Sequence, residues 1–208
     1  MTDQTGQLTL IRHHESEWNK LSRWTGMSDV SLTPHGRTMA EKMGQAIKDR
    51  SVDKVITSEL ARSIETAEGV LKGMELSGLS IERVEAINER DYGDYTGKNK
   101  WRMKEVLGEE KFTDIRRGWD CPVPGGETLK MVYERVVPYY LNNIVPELMN
   151  GQNILLVGHT NSLRALIKYI ENISDQEIRN VEMPFGTIII YDVDEIGRQI
   201  AKEVKTVE

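Results

Sequence analysis

The chain has 208 residues, of which 38% are hydrophobic and 29% are charged, a composition that predicts one globular domain, residues 1–208, with a substantial core. Its formal net charge of -6 favours neither nucleic acid nor an anionic membrane as a partner, so an anionic substrate must be attracted by a local cluster of cations. The single cysteine, Cys121, excludes an intrachain disulfide bond and is typical of a reducing compartment.

The sequence also lacks targeting and metal-binding signals. Residues Met1 to Gln7 contain no basic or apolar signal region, and no apolar run approaches the roughly 18 residues of a membrane helix. One cysteine and four histidines form no metal-ligand pattern. We therefore expect a cytoplasmic protein without a membrane segment, a bound metal or a nucleic-acid partner.

The first predicted element is a short strand over Leu8–Ile11, an apolar run with β character. Arg12 and His13 follow it directly, at the carboxyl end of a strand, where open α/β sheets bind ligands. Arg presents a planar fork of donors that matches phosphate oxygens, and a neutral imidazole nitrogen can accept a phosphoryl group. Taken alone, however, Arg12 and His13 are better explained as solvated side chains at the end of a strand.

The next segments predict a helix, a strand and a second helix. Thr33 and Pro34 are typical of an N-cap and a first helical position, and Val52–Thr57 is predicted as a strand. Ser58 is predicted to cap the following helix, and Arg62 lies in the first turn of that helix. The N–H groups of a first turn and an Arg side chain can form an anion site, although a solvated Arg62 explains this segment about as well.

The middle of the chain combines a long polar loop with a basic helical region. Leu79–Ile87 is predicted as a third strand, and the loop 88–97 after it has the length typical of functional loops. Residues 98–119 are predicted to be helical with a break at Gly108. This region carries three cations, Lys100, Arg116 and Arg117. Residues 121–126, rich in proline and glycine, predict a loop.

The last third of the chain repeats the pattern of its beginning. A long helix is predicted to begin near Glu127, with a kink at Pro138. The apolar run Ile154–Val157 predicts a parallel strand covered on both faces. It is followed by Gly158 and by His159, a second histidine at a strand end just before a helix.

A final strand is predicted over Thr187–Val193, and the charged tail after Glu195 is predicted to be loosely held. Strands that alternate with helices predict an α/β fold, a three-layer sandwich whose mostly parallel central sheet has helices on both faces. In such a sheet His13 and His159 stand at the same edge and meet if their strands are neighbours. Arg12 and Arg62 are then placed to neutralise a phosphoryl group that one imidazole attacks.

Five segments that occur together and in order indicate a protein family more specifically than any one of them does. They are Arg12-His13-x-Glu15-Ser16-Glu17-Trp18-Asn19, Thr25-Gly26 with Arg62, Asn88-Glu89-Arg90-x-Tyr92-Gly93, Lys100 with Arg116-Arg117, and His159-x-Asn161-Ser162. Together they resemble the motifs of the histidine phosphatase superfamily, specifically those of the 2,3-bisphosphoglycerate-dependent phosphoglycerate mutases. The resemblance extends from about Leu8 to Asp192 and implies a phosphoglycerate mutase-like catalytic domain.

The resemblance also implies roles for individual residues. His13 would be transiently phosphorylated, His159 would donate hydrogen bonds to the transferring oxygens, and Glu89 would serve as general base and then as general acid. The substrate would be bound by Arg12, Ser16, Asn19, Thr25, Gly26, Arg62, Tyr92, Lys100, Arg116, Arg117, Thr160 and Asn161.

The implied reaction interconverts 3-phosphoglycerate and 2-phosphoglycerate, a step of glycolysis and gluconeogenesis. Phosphorylated His13 would donate its phosphoryl group to the free hydroxyl of 3-phosphoglycerate, and the bisphosphoglycerate would turn and return its other phosphate. 2,3-Bisphosphoglycerate would prime the enzyme, no metal would be needed, and the partners would be small phosphorylated three-carbon acids. A shortened link at residues 118–126 leaves open whether the protein is a homo-oligomer.

Three alternatives remain open. A metal-independent histidine-type phosphomonoesterase of small phosphorylated metabolites would share the core residues but not usually the second cationic cluster of Lys100, Arg116 and Arg117. The bisphosphoglycerate-synthase branch is also similar, but it carries Gly where Ser16 stands here. A catalytically inactive relative that only binds ligands is disfavoured because the two histidines and Glu89 are all present.

Two positions depart from the family pattern. His14 and Thr160 stand where the family normally has Gly, a residue that tolerates close approach of a ligand. We expect both side chains to point away from the phosphate pocket; the alternative is that they make the pocket tighter and alter turnover. Because strand side chains alternate, His13 and His14 should lie on opposite sides, with His13 as the nucleophile.

Overall fold

The structure, a computed structural model, describes residues 5–208. The prediction that residues 1–7 carry no signal region falls partly on residues 1–4, which lie outside the described residues. Within residues 5–208 the strands are β1 (Leu8–Arg12), β2 (Lys54–Thr57), β3 (Ile81–Arg83), β4 (Ile154–Gly158), β5 (Thr187–Val193) and β6 (Gln199–Thr206). The α-helices of this range are α1 (Glu17–Lys20), α2 (Pro34–Gln45), α3 (Ala61–Gly73), α4 (Lys100–Leu107), α5 (Glu109–Arg117), α6 (Leu129–Tyr139), α7 (Val145–Met149) and α8 (Thr160–Ile170).

The strands form one sheet in the order β3-β2-β4-β1-β5-β6. The first four are mutually parallel, whereas β5 is antiparallel to β1 and β6 is antiparallel to β5. The predicted mostly parallel sheet is therefore confirmed. Since β1 and β4 are neighbours with Arg12 paired to Gly158, the residues that follow them emerge side by side at one edge of the sheet.

The sheet separates two layers of helices, as predicted. Leu8 and Leu10 of β1 belong to the core that α6 and α8 cover. Ile11 belongs to the opposite core, together with Met43 of α2 and Val70 of α3. Because successive strand side chains point to opposite faces, an unbroken apolar strand can fill both cores.

A third, smaller core lies under the helices α4 and α5. It contains Trp24, Tyr95, Phe112, Ile115 and Val123. Trp24 is almost fully buried, with its ring centroid 5.4 Å from that of Tyr95 in an edge-to-face arrangement. This cluster gives α4 and α5, which carry the predicted second group of cations, their own apolar support.

The tail after Glu195 was predicted to be loosely held, and this prediction is wrong. Residues Gln199–Thr206 form β6, which pairs with the whole length of β5. Side chains of β6 are mostly exposed, so the sequence shows little apolar alternation there. The strand is held by main-chain hydrogen bonds to β5, which would otherwise present an open edge.

Two further predictions need correction. The predicted third strand is shorter than expected, because Ile81–Arg83 alone pairs with β2 and residues Glu85–Ile87 form a 3₁₀ turn. Ser58 is not the N-cap of α3, a position taken by Leu60. Pro138, which was predicted to kink or split the helix, lies inside α6, and α6 passes into a π-helical segment at Tyr140–Ile144. No helix within residues 5–208 is long and apolar enough to span a membrane.

Candidate active site

The two histidines at the strand ends meet at the centre of the sheet edge. The main-chain N–H of His13 donates to the carbonyl oxygen of Gly158 at 3.0 Å, which continues the β1–β4 pairing by one residue. The ring centroids of His13 and His159 are 5.0 Å apart. The predicted convergence of these two residues is present in the structure.

His13 is held as a neutral imidazole with a free Nε2 lone pair. Its Nδ1 lies 2.7 Å from the carbonyl oxygen of His14, and because a carbonyl only accepts, Nδ1 carries the proton. Burial lowers the pKa of His13 well below its usual value, and the nearby charges of Arg62 and Arg12 lower it further. At neutral pH the remaining nitrogen, Nε2, is therefore available as a nucleophile.

His159 is completely buried, and its Nε2 lies 2.7 Å from the hydroxyl oxygen of Ser58. Burial and the nearby charge of Arg62 lower the pKa of His159 well below its usual value. The other ring nitrogen, Nδ1, is buried without a hydrogen-bond partner among residues 5–208. This unpartnered atom leaves His159 one position with which to bind a ligand oxygen.

Arg12 and Arg62 are anchored to main-chain carbonyl groups rather than to carboxylates. Arg12 Nη1 donates to the oxygen of Met183 at 2.8 Å, and the guanidinium lies 4.1 Å from the ring centroid of Phe185. Arg62 Nη2 donates to the oxygen of Gly26 at 2.8 Å. Burial lowers the pKa of each guanidinium to about 10, so both stay charged at neutral pH. The Nε atom of each is buried without a partner among the described residues.

The carboxylate of Glu89 is fixed by main-chain donors. Its Oε1 accepts hydrogen bonds from the N–H groups of Arg90 at 2.8 Å and of Asn161 at 3.1 Å. Asn161 lies in the first turn of α8, where N–H groups have no partner within the helix. The Asn161 side chain donates to the hydroxyl of Tyr92 at 3.0 Å. These contacts leave the second oxygen, Oε2, as the atom of Glu89 that can meet a substrate.

The second group of cations comes from α4 and α5. Burial, together with the charges of Arg116 and Arg12, lowers the pKa of Lys100 to about 8. Burial also lowers the pKa of Arg116. Arg117 forms an ion pair with the carboxylate of Glu182. Positive charge is thus concentrated here despite the negative net charge of the chain.

Three further residues, Asn19, Thr25 and Gly26, border the cavity. Asn19 Oδ1 accepts from the main-chain N–H of Ser16 at 3.1 Å, which leaves the amino group of Asn19 for the cavity. Thr25 Oγ1 is buried without a partner among residues 5–208. Gly26 has a φ of 52°, a conformation that L side chains rarely adopt.

All of the predicted site residues except Ser16 and His159 line one cavity of about 180 Å³. Ser16 serves instead as the N-cap of α1, and His159 is completely buried next to His13, which lines the cavity. The cavity also contains four residues that sequence reasoning missed, Trp24, Glu182, Met183 and Pro184. The last three precede β5, and because β5 runs antiparallel to β1, its beginning lies at the edge where β1 ends.

The two departures from the family pattern differ in their placement. His14 is buried away from the cavity, with its ring centroid 5.0 Å from Phe185 and 5.4 Å from His35. Burial, with a further contribution from His35, lowers the pKa of His14 to about 4. Thr160, by contrast, lines the cavity.

Within residues 5–208 no group of three or more histidine, cysteine or acidic side chains is arranged to hold a metal ion.

The chain is similar to known proteins over nearly its whole length. The sequence profile of the histidine phosphatase superfamily (branch 1) matches residues 8–205. A 2,3-bisphosphoglycerate-dependent phosphoglycerate mutase of Parvibaculum lavamentivorans is 41% identical over 199 residues, which cover 95% of each chain. The solved structure of Bacillus stearothermophilus YhfR is 25% identical, has a TM-score of 0.82 and covers 97% of this chain and 96% of its own. A mycobacterial glucosyl-3-phosphoglycerate phosphatase, 20% identical, has the same fold, with a TM-score of 0.83 and coverages of 97% and 98%.

Proposed function

The chain belongs to the histidine phosphatase superfamily, and from this premise we propose that it interconverts 3-phosphoglycerate and 2-phosphoglycerate through a phosphorylated His13. One observation carries the proposal: a single cavity is lined by two groups of cations. Arg12 and Arg62 lie beside His13, and the second group consists of Lys100, Arg116 and Arg117. Because phosphoglycerate carries both a phosphate and a carboxylate, it can use both groups, whereas hydrolysis of a simple phosphomonoester needs only the first.

Polar atoms of the site that lack hydrogen-bond partners support the proposal that a phosphoryl group binds beside His13. Arg12 Nε, Arg62 Nε and His159 Nδ1 are buried, and among the described residues they have no hydrogen-bond partner. Buried polar atoms without partners are unfavourable, and phosphoryl oxygens would satisfy them. When bound, 2,3-bisphosphoglycerate supplies the phosphoryl group that first loads His13. We propose that the same two groups of cations hold it.

In the proposed first step, the neutral His13 ring provides the nucleophile. A bond forms between His13 Nε2 and phosphorus as the bond from phosphorus to the leaving oxygen breaks, and the leaving oxygen takes a proton from the Glu89 carboxyl group. Arg12 and Arg62 neutralise the phosphoryl oxygens, and His159 donates a hydrogen bond to one of them. The guanidinium groups supply the positive charge that the transfer requires, so the proposed mechanism uses no metal ion.

Glu89 moves the proton in the proposed second step. Its free Oε2 takes the proton of the 3-phosphoglycerate hydroxyl while that oxygen attacks the phosphorus on His13. In the return transfer Glu89 gives the proton to the departing oxygen. The N–H groups of Arg90 and Asn161 hold Oε1 throughout, so the carboxylate keeps one orientation for both directions.

One coupled assay tests the proposal. The protein is given 3-phosphoglycerate with and without a trace of 2,3-bisphosphoglycerate, and 2-phosphoglycerate and free phosphate are measured in parallel. We expect strong priming by the trace compound and only minor phosphate release, which would come from leakage of the phosphoenzyme to water. Phosphate release without isomerisation would instead support the phosphomonoesterase.

A further inference from the structure

A buried arginine outside the cavity connects the parts of the site. Arg164 lies on α8, one turn after Asn161, and is completely buried. All five of its N–H groups have acceptors, the number that a guanidinium can satisfy. Nε donates to Val181 O at 3.0 Å, Nη1 to Asn161 Oδ1 at 3.1 Å and Arg116 O at 3.3 Å, and Nη2 to Arg117 O and Ile178 O, both at 2.8 Å.

Two of these acceptors lie at the end of α5. The carbonyl groups of Arg116 and Arg117 belong to the last turn of that helix, where carbonyl oxygens have no partner within the helix. A cation at this position satisfies them and interacts favourably with the helix dipole. Arg164 therefore holds the main chain of the two residues whose side chains line the cavity.

Two other acceptors lie in the segment that precedes β5. Ile178 and Val181 are followed by Glu182, which pairs with Arg117, and by Met183, whose carbonyl oxygen accepts from Arg12. The same guanidinium thus links α8, the end of α5 and the segment that supports Arg12. This connection joins the second group of cations to the phosphoryl site.

The acceptors of Arg164 are neutral oxygens, and its charged neighbours include the cations Arg90 and Arg117 as well as the carboxylate of Glu89. Burial, together with the charges of Arg90 and Arg117, lowers the pKa of Arg164 to about 10, so it remains protonated at neutral pH. A buried cation is unfavourable unless its hydrogen bonds compensate, and here all five N–H groups are used. A lysine has three donors on a single atom and cannot reach five oxygens in this planar arrangement.

We propose that Arg164 is a positioning residue for the second anion site, setting Arg116 and Arg117 at the distance from His13 that a two-anion substrate requires. The identity of that substrate rests on the proposed function, whereas the dependence of anion binding on Arg164 rests on geometry alone. Arg164 touches no substrate and acts through the main chain of α5.

The test uses the full chain with the substitution Arg164→Lys and measures binding by calorimetry. We expect the Kd of 3-phosphoglycerate, which uses both groups of cations, to rise by about tenfold or more. The Kd of inorganic phosphate, which uses only the site beside His13, should change less than about twofold. Isomerase activity should fall more than hydrolysis of p-nitrophenyl phosphate, and the ratio of the two rates does not depend on the fraction of folded protein.

Arg179→Lys is the matched control. Arg179 also joins the segment before β5 to α5, through an ion pair with Asp114, but its side chain is 52% exposed. Such exposed pairs contribute little, so this variant should behave like the wild type. A further experiment introduces Arg117→Met into the wild type and into the Arg164→Lys protein. Arg117→Met should weaken 3-phosphoglycerate binding less in the Arg164→Lys protein, because Arg164→Lys has already disrupted the second group of cations, to which Arg117 belongs.

Each remaining outcome has a distinct meaning. If Arg164→Lys weakens phosphate and 3-phosphoglycerate binding equally, Arg164 supports the fold in general and the inference is wrong. If neither Kd changes, Arg164 has no positioning role. If the wild type binds 3-phosphoglycerate, loses that binding through Arg164→Lys and yet does not isomerise it, the proposed function fails while the positioning role stands.

Discussion

The hydroxyl of Ser58 lies 2.7 Å from Nε2 of His159 and accepts the main-chain N–H of Leu60 at 3.1 Å. Ser58 is completely buried, and its hydroxyl proton has no other acceptor within residues 5–208. The Ser58 hydroxyl, the Leu60 N–H and His159 Nε2 all have a hydrogen-bond partner when the Ser58 hydroxyl donates to Nε2. His159 is then protonated on Nδ1, the atom that the proposed mechanism needs as a donor to the phosphoryl group.

We expect Ser58→Ala to lower kcat by between about 10-fold and about 100-fold, because the His159 ring loses the contact that selects its tautomer. Nitrogen NMR of the labelled imidazole should show a shift away from the Nδ1-protonated form. Ser63→Ala is the control, since Ser63 is equally buried and donates to Val157 O without touching His159. Equal losses in the two variants would contradict the assignment.

The assignment of the nucleophile predicts a difference between the adjacent histidines. His13→Ala should abolish the phosphoenzyme, because His13 supplies the free Nε2, whereas His14→Ala should retain it. The measurement is labelling with radioactive 2,3-bisphosphoglycerate, followed by a test for acid-labile, base-stable phosphate. Uptake by His13→Ala and not by His14→Ala would reverse the assignment, and a wild type without label would indicate an inactive relative.

The low pKa of Lys100, about 8, predicts that substrate binding depends on pH. Lys100 is charged below this pH and loses its charge as the pH rises through it, so its attraction for an anion weakens. We expect the KM for 3-phosphoglycerate to increase several-fold between about pH 7 and about pH 9. Lys100→Arg should keep the KM low across this range, and Lys100→Met should give a high KM with little pH dependence. A wild-type KM that does not change with pH would contradict this role.

The ion pair between Arg117 and Glu182 places a carboxylate in a cavity for anions. We expect Glu182 to compete with the substrate for Arg117, so Glu182→Gln should lower the KM for 3-phosphoglycerate by about two- to fivefold. The effect is small because the Glu182 side chain is 59% exposed. Asp114→Asn is the control, since Asp114 is a nearby acidic residue that does not line the cavity. A higher KM for Glu182→Gln would show that Glu182 orients Arg117 instead of competing for its charge.

The sequence alone predicted most of the elements and nearly all of the cavity. The apolar runs of β1 and β4 fill cores on both sides of the sheet, and such runs are readable as buried strands. Arg12, His13 and His159 lie at the ends of those strands or directly after them. Their position and the resemblance to a known family indicated that they belong to the site. Residue type and spacing marked these positions, and the resemblance to the family supplied their expected roles.

Other features depend on which segments meet in three dimensions. The antiparallel direction of β5 brings Glu182 and Met183 to the site, and the exposed strand β6 is specified by its pairing with β5 rather than by its own side chains. The roles of Ser58 and Arg164 come from acceptors far away along the chain, which no periodicity marks. Hydrogen bonds of this kind are decided by the packing of several elements at once, and tertiary structure alone decides them.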